Sequence, residues 1–340
     1  MPSFVTATVT EVLEERAGLQ RVATDGGRAY VVVDLVGTVA VGDRVVLNTT
    51  AVGLGLGTGG WHVVHWNLAR EEWSQPGPGH IMKLRYTSLQ ADVGSTEEHR
   101  PDVPEHLDGT PVVACSLHSQ AGIVAAVARH LRPDARIAYV MTDGAALPLA
   151  LSNLAHDLRR LGVLDATITA GHAFGGDYEA VSMPSALALA RHVAEADLIV
   201  VGMGPGVVGT GSSLGTTAVE VAWIVDTVAA LGGHAGVCVR ASSADARERH
   251  RGISHHSTTA LRLARTTPVV PLPPELVEAA AAGAGPALAG AVAVDPPDIA
   301  KVLASVGIGP IRSMGRGPDE DPLFFATAGA AGAWLASAGQ

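Results

Sequence analysis

The chain has 340 residues, a net charge of −10, 47% hydrophobic residues and only 4% aromatic ones. These values describe a soluble, globular, weakly acidic protein whose length suits about two domains. A net acidic chain repels phosphodiester backbones unless it carries a local basic stripe, so broad nucleic-acid binding is not expected.

The predicted elements begin with alternating strands over residues 1–75. Phe4–Val9, Ala29–Val33, Val45–Asn48 and His62–Trp66 are separated by turns at Asp25-Gly26-Gly27, Gly42-Asp43 and the glycine run Gly53–Gly60. Short strands with regular turns and no helical period predict a small β-barrel. Gln75-Pro76-Gly77-Pro78-Gly79 reads as a linker and marks the domain boundary.

From residue 80 to 340 the pattern becomes one of apolar strands alternating with amphipathic helices. Predicted strands are Ile81–Gln90, Thr110–Ser116, Arg136–Met141, Ala166–Ala170, Asp197–Val201, Ala235–Arg240, Pro268–Leu272 and Gly309–Ser313. Predicted helices are Ala121–Leu131, Leu147–Leu161, Ser185–Ala196, Thr216–Leu231 and Ser257–Arg265. This alternation implies a mainly parallel sheet in a three-layer α/β/α domain. Residues 275–295 are rich in Ala and Gly and specify no element. The uncharged run Pro322–Gln340 reads as a docked C-terminal helix, since its Ala/Gly content falls short of a membrane span.

Lysine and cysteine usage exclude further chemistries. Lys83 and Lys301 are the only lysines among 23 basic residues, and neither lies in a GxxxxGK[ST] phosphate loop. Nor does any motif support a Schiff-base lysine at either position. Cys115 and Cys238 are the only cysteines, and two thiols make no disulfide framework and no four-ligand zinc site. The N-terminus lacks the basic and apolar regions of a signal peptide. A cytoplasmic location and no membrane partner are therefore expected.

Ligands of open α/β sheets bind beyond the carboxyl ends of the strands, so the loops after each strand are the places to search. Residues 204–209 fit GxGxxG between a strand and a helix. Gly204, Gly206, Gly209 and Gly211 let backbone N–H groups approach an anion, and Thr210 and Ser212 offer hydroxyls. The bland alternative is a flexible glycine connection. No acidic residue follows at the spacing of a dinucleotide fingerprint.

Arg247, Arg249, Arg251, His250, His255 and His256 crowd the next strand end. Guanidinium forks bind phosphate or carboxylate, and histidine moves protons near neutral pH. Alternatively His250, His255 and His256, with Asp245 or Glu248, hold a divalent metal, or the segment is a solvated turn. Asp143 follows Met141-Thr142, a position for binding metal or hydroxyl that is equally common as a turn. His172 and Asp177 share one glycine-rich loop as a candidate base and its orienting partner.

Six stretches together resemble a bacterial family of unknown function, the domain of unknown function 3866. They are Gly79–Thr87 (GHIMKLRYT), Met141–Gly144 (MTDG), Gly171–Asp177 (GHAFGGD), the Gly202–Gly211 loop, Arg247–His256 (RERHRGISHH) and Met314–Pro318 (MGRGP). The likeness runs over nearly the whole chain and implies a one-chain unit of this size, with no activity attached. It adds Arg316 to the candidates.

The resulting expectation is an enzyme, a hydrolase or group transferase, acting on an anionic, phosphorylated or nucleotide-like small molecule. The glycine loop, Arg247, Arg249, Arg251 and Arg316 would hold the anion. His172 or His255 would move protons, with Asp143 or Asp177 orienting them. The competing expectations are a ligand sensor whose barrel contacts a partner, and a scaffold whose loops form the interface of a homo-oligomer.

Overall fold

The computed structural model describes residues 1–283 and 288–338. Part of the Ala/Gly-rich stretch 275–295, and the last two residues of the C-terminal run, lie outside them. Two compact units divide the chain at Gly94.

In the first unit, β1 (Phe4–Arg16), β2 (Leu19–Thr24), β3 (Gly27–Val32), β4 (Arg44–Asn48) and β5 (His62–Asn67) close into a barrel in the order β1-β2-β3-β5-β4. Strands β3 and β5 run parallel and the other pairs antiparallel. The period of two sets the interior: Ala7, Val9, Val22, Ala29, Val31, Val45, Leu47 and Val64 are buried together. Register shifts at Val9/Glu11 and Val12/Glu14 bend β1, as closure of so small a barrel requires. The predicted strands all appear, and β2 is added; its Gln20 and Arg21 had masked it. Short helices α1 (Val33–Val36) and α2 (Thr50–Gly53) fill the connections.

The predicted strand Ile81–Gln90 is corrected. Only Met82–Lys83 (β6) is extended, paired with Ala91–Asp92 (β7), because Leu84 and Tyr86 adopt left-handed φ angles of 53° and 61°. The linker packs back on this hairpin. A Cβ at Gly77 would overlap the Asp92 backbone, which explains why this unit runs past the linker to Gly94.

The second unit opens with α3 (Thr96–His99) and is built on a six-stranded, all-parallel sheet. Its strands are β8 (Pro111–Cys115), β9 (Ile137–Thr142), β10 (Ala166–Ala170), β11 (Tyr178–Ala180), β12 (Leu198–Met203) and β13 (His234–Cys238), in the order β11-β10-β9-β12-β8-β13. Strands β8, β9, β10 and β12 are buried at every position, because helices cover both faces.

Helices α4 (His118–Leu131) and α5 (Asn153–Arg160) pack with Val113, Cys115, Ile137, Tyr139 and Met141 on one face. Helices α6 (Met183–His192), α7 (Glu220–Ala230) and α8 (His255–Leu263) pack with Val112, Ala114, Ala138, Val140 and Val201 on the other. The predicted three layers are thus present. The helix expected over Leu147–Leu161 is broken. A 3₁₀ turn at Leu149–Leu151 precedes α5, and Ser152 caps the helix by accepting from the Ala155 N–H at 2.9 Å.

The β14–β15 hairpin (Ala241–Ser242 with Gly252–Ile253) follows β13. Strands β16 (Val270–Leu272) and β17 (Ala291–Ala293) pair in parallel, with α9 (Pro274–Gly283) between them. Then come α10 (Ile299–Ser305) and α11 (Pro322–Ala338). The strand expected at Gly309–Ser313 reduces to one bridge between Ser313 and Arg316. Helix α11 is buried against α4 and β13 through Phe324, Phe325, Ala328 and Leu335. Among the described residues no helix is long and apolar enough to cross a membrane.

Candidate functional site

Sheet topology decides where a crevice opens. Strand β12 lies between β9 and β8. Its chain leaves to α7 on one face, while both neighbours feed α5 and α4 on the other. Adjacent strands that diverge in this way leave a gap at their carboxyl ends. The Gly202–Gly211 loop starts there.

The loop is shaped by close approach. A Cβ at Gly204 would lie 2.6 Å from the Ala146 carbonyl, and one at Gly209 would lie 2.8 Å from Cε1 of His256. Gly206 has a φ of 104°. The predicted hydroxyl donors serve the loop itself. Thr210 donates to Gly215 O at 3.0 Å, and Ser212 Oγ accepts from the Gly215 N–H at 3.0 Å. A 3₁₀ turn at Thr217–Val219 then separates the loop from α7, so the glycines do not run directly into a helix. Among the described residues, the N–H groups of Gly206, Gly209 and Gly211 carry no hydrogen bond within the chain.

The arginine-rich segment folds around Asp245, which is 3% exposed. Its carboxylate pairs with Arg240 at 2.6 Å and Arg247 at 3.0 Å, and Arg316 approaches to 3.7 Å. The hydrogen bond from Arg247, with the neighbouring Arg240, holds the Asp245 carboxyl well below its usual range. Arg316 also donates to Asp321 at 3.1 Å, and Ser242 donates to the same carboxylate at 2.6 Å. Three guanidinium groups therefore face two carboxylates. Arg251 donates to the Asp245 carbonyl at 3.0 Å, whereas Arg249 is exposed.

Three histidines close this cluster. Their ring centroids lie 4.0 Å apart for His255 and His256, and 5.2 Å from His250 to each. Ser254 Oγ meets Nδ1 of His250 at 2.7 Å and caps α8 by accepting from the His256 N–H at 3.3 Å. Burial, aided by nearby guanidinium charge, lowers all three imidazoles, that of His250 to about 4. They are therefore unprotonated at neutral pH.

Arg240, Arg247, His250, His256, Gly209 and Thr216 line one cavity of about 120 Å³. Ser116 and Leu117, at the end of β8, also line it. A drug-sized ligand fills roughly 300–1,000 Å³, so this cavity has room for one small group or one end of a larger molecule.

Residues 28–332 match the family described as protein of unknown function (DUF3866). The chain belongs to that family. No curated protein and no solved structure matches it.

Of the remaining predicted residues of this DUF3866 protein, Asp143 and His172 follow β9 and β10 at the carboxyl edge, whereas Asp177 precedes β11 and is held beside Thr167, near the start of β10. Asp143 Oδ2 accepts the His172 N–H at 3.0 Å, and a Cβ at Gly171 would overlap that carboxylate. Asp177 buttresses β10: it takes Arg159 at 3.0 Å, the Thr167 N–H at 2.7 Å and the Thr167 hydroxyl at 2.9 Å.

Sequence reasoning gave no role to two groups of this DUF3866 chain, His118 at the strand end after β8 and Glu220. His118, at the first turn of α4, sits 2.6 Å from Ser152 Oγ through Nε2 and 3.1 Å from Tyr139 Oη through Nδ1. Burial pushes its pKa down to about 4. Glu220, at the first turn of α7, accepts from Thr142, and burial plus the nearby Asp143 raise it to about 7. An acid opening the mostly apolar helix α7 was the available signal for Glu220.

Proposed function

We propose that this DUF3866 chain is an enzyme that binds an anionic, phosphorylated or nucleotide-like small molecule and hydrolyses it or transfers a group from it. The observation that carries the reading is the convergence of Arg240, Arg247, His250 and His256 with the glycine loop on one cavity at the carboxyl edge. The three guanidiniums around Asp245 and Asp321 leave one positive charge for a ligand to neutralise. The backbone N–H groups of Gly206, Gly209 and Gly211 supply further donors, and the unprotonated imidazoles are proton acceptors.

A cytoplasmic, homo-oligomeric protein without nucleic-acid or membrane partners belongs to the same reading. The free, buried Cys115 and Cys238 suit a reducing compartment, and exposed Val208, Leu214 and Trp223 suit a subunit contact. A ligand sensor using the same cavity is the second reading. It is favoured by the internal pairing of Arg247, whose fork already grips Asp245.

The test is a thermal-shift series with inorganic phosphate, pyrophosphate, nucleotides and sugar phosphates. An upward shift that Arg247→Ala reduces, followed by turnover of the bound compound, supports the enzyme. A shift with the compound recovered intact favours the sensor. No shift from any anion overturns both.

A further inference from the structure

We infer that His250, His255 and His256 bind a divalent transition-metal ion, zinc by preference, with an open coordination position toward the arginine-lined cavity. The metal site itself stands on the histidine geometry. Only the occupant of the open position rests on the anion-binding reading above.

Each of the three histidines offers a ring nitrogen within 4.8 Å of those of the other two. A tetrahedral zinc ion with bonds of about 2.0–2.1 Å needs its donors roughly 3.3 Å apart. The donors are therefore at most about 1.5 Å farther apart than the ion needs. The trio also carries a deficit that an ion would relieve. The Nε2 atoms of His255 and His256 are buried and have no hydrogen-bond partner, and His256 is only 7% exposed. Buried polar atoms are rarely left unsatisfied.

The supporting contacts are those a metal-binding histidine requires. Ser254 Oγ engages Nδ1 of His250 at 2.7 Å, fixing the ring and leaving Nε2 for the ion. Gly209 leaves room for the His256 ring, whose Cε1 would lie 2.8 Å from a Cβ there. The β14–β15 hairpin brings His250 back beside the first turn of α8, where His255 and His256 are adjacent.

Among the described residues one other group has metal-binding spacing: His106, Asp108 and His192. There Nε2 of His192 is already held by the His106 carbonyl at 2.6 Å, and His106 and Asp108 are exposed. It makes the better control. At the His250 cluster, three imidazole donors select an ion of the zinc class over magnesium or calcium, which prefer oxygen. Asp245 and Asp321 are committed to arginines, so they leave the ion's charge to an incoming anion. The ligand class that fits is an oxyanion, phosphate or carboxylate, bound between the metal and Arg247.

The full chain, stripped with a chelator, is titrated with zinc chloride by calorimetry and with cobalt(II) by visible absorption. The expected result is one ion per chain. His256→Ala and His255→Asn should each weaken zinc binding at least 100-fold, Ser254→Ala roughly 10- to 100-fold, and His106→Ala not at all. Metal-free melting curves identify any variant that fails to fold, and such a variant is replaced in the comparison by the other histidine substitution. Failure of the wild type to bind zinc, or zinc binding unaltered in folded His256→Ala and His255→Asn, overturns the inference. Phosphate shifts measured with and without zinc separate the two proposals. A phosphate shift without zinc binding leaves the anion reading standing alone. Zinc binding without any phosphate shift leaves the metal site standing alone.

Discussion

Thr142 donates its hydroxyl to both carboxylate oxygens of Glu220, at 2.8 and 3.0 Å, across 78 positions of sequence. The bond ties the end of β9 to the first turn of α7, at the gap where the chain switches faces. It lowers the Glu220 pKa, but burial outweighs it and Asp143 adds repulsion, so the carboxyl rises to about 7.

That rise has a direction in pH. The folded protein holds the Glu220 proton up to about pH 7, whereas the unfolded chain releases it near 4.5. The stability it contributes is full below 4.5 and is lost as pH rises through 7. Glu220→Gln should remove this loss. Relative to wild type the variant gains on the order of 2 kcal/mol between pH 4.5 and 7.5. Urea unfolding at several pH values checks it, and a constant difference between the two proteins would contradict the assignment.

Asp245 should matter more to stability than any arginine around it. Its removal leaves Arg240, whose side chain is 11% exposed, without its carboxylate. Breaking a buried pair from one side costs about 3–5 kcal/mol, whereas Arg247→Ala, with its side chain 39% exposed, should cost about 1 kcal/mol or less. Asp245→Ala and Arg247→Ala compared by urea unfolding give the ranking. Equal costs would mean that the cluster is solvated. The depressed Asp245 carboxyl also sets a pH window: its contribution is present above the usual aspartate range and fades as the solution is acidified below it.

Much of the fold is legible because burial on both faces leaves a continuous apolar run. Ala166–Ala170 is predicted and observed with the same bounds, and the strand ends near Cys115, Thr142 and Met203 locate the sheet's carboxyl edge. Elements with polar faces or few residues are not legible: β2 carries Gln20 and Arg21, and β11 has three residues at the sheet's rim. Ser152 splits an otherwise helical apolar pattern by offering its hydroxyl to the backbone.

The candidate site follows the same division. Gly209, Arg247, His250 and His256 could be named because each follows a strand end, and they meet in one cavity. The pairing of Arg247 and Arg316 with Asp245 and Asp321, and of His118 with Ser152, depends on side chains converging from separate segments. No local pattern records that convergence.

Gly332 tests how tightly α11 is packed. A Cβ there would lie 2.7 Å from Val127 Cβ and 2.9 Å from the Val124 carbonyl. Alanine gains about 1 kcal/mol of helix propensity over glycine, but overpacking costs about 1–3 kcal/mol, and the backbone of α4 cannot yield as a side chain does. Gly332→Ala should therefore destabilise by about 1–2 kcal/mol. Gly309→Ala, which meets nothing within 4 Å, should stay within about 0.5 kcal/mol of wild type. A stabilised Gly332→Ala in thermal or urea unfolding would show that the α4–α11 contact is loose.

His118 provides the opposite pH dependence to Glu220. Burial holds its folded pKa at about 4, below the ordinary 6.5. Its stability contribution is full above 6.5 and is lost as pH falls toward 4, because the imidazole must then be charged where it is buried. His118→Gln should therefore lose ground to wild type as pH rises from 4 to 6.5, while Glu220→Gln gains ground over nearly the same interval. Ser152→Ala removes the 2.6 Å partner of Nε2 and the cap of α5 together. It should cost about 1–2 kcal/mol at pH 7.5. Denaturant midpoints of the three variants across pH 4–8 supply the check. Curves of the same slope for His118→Gln and Glu220→Gln would show that at least one group is solvated.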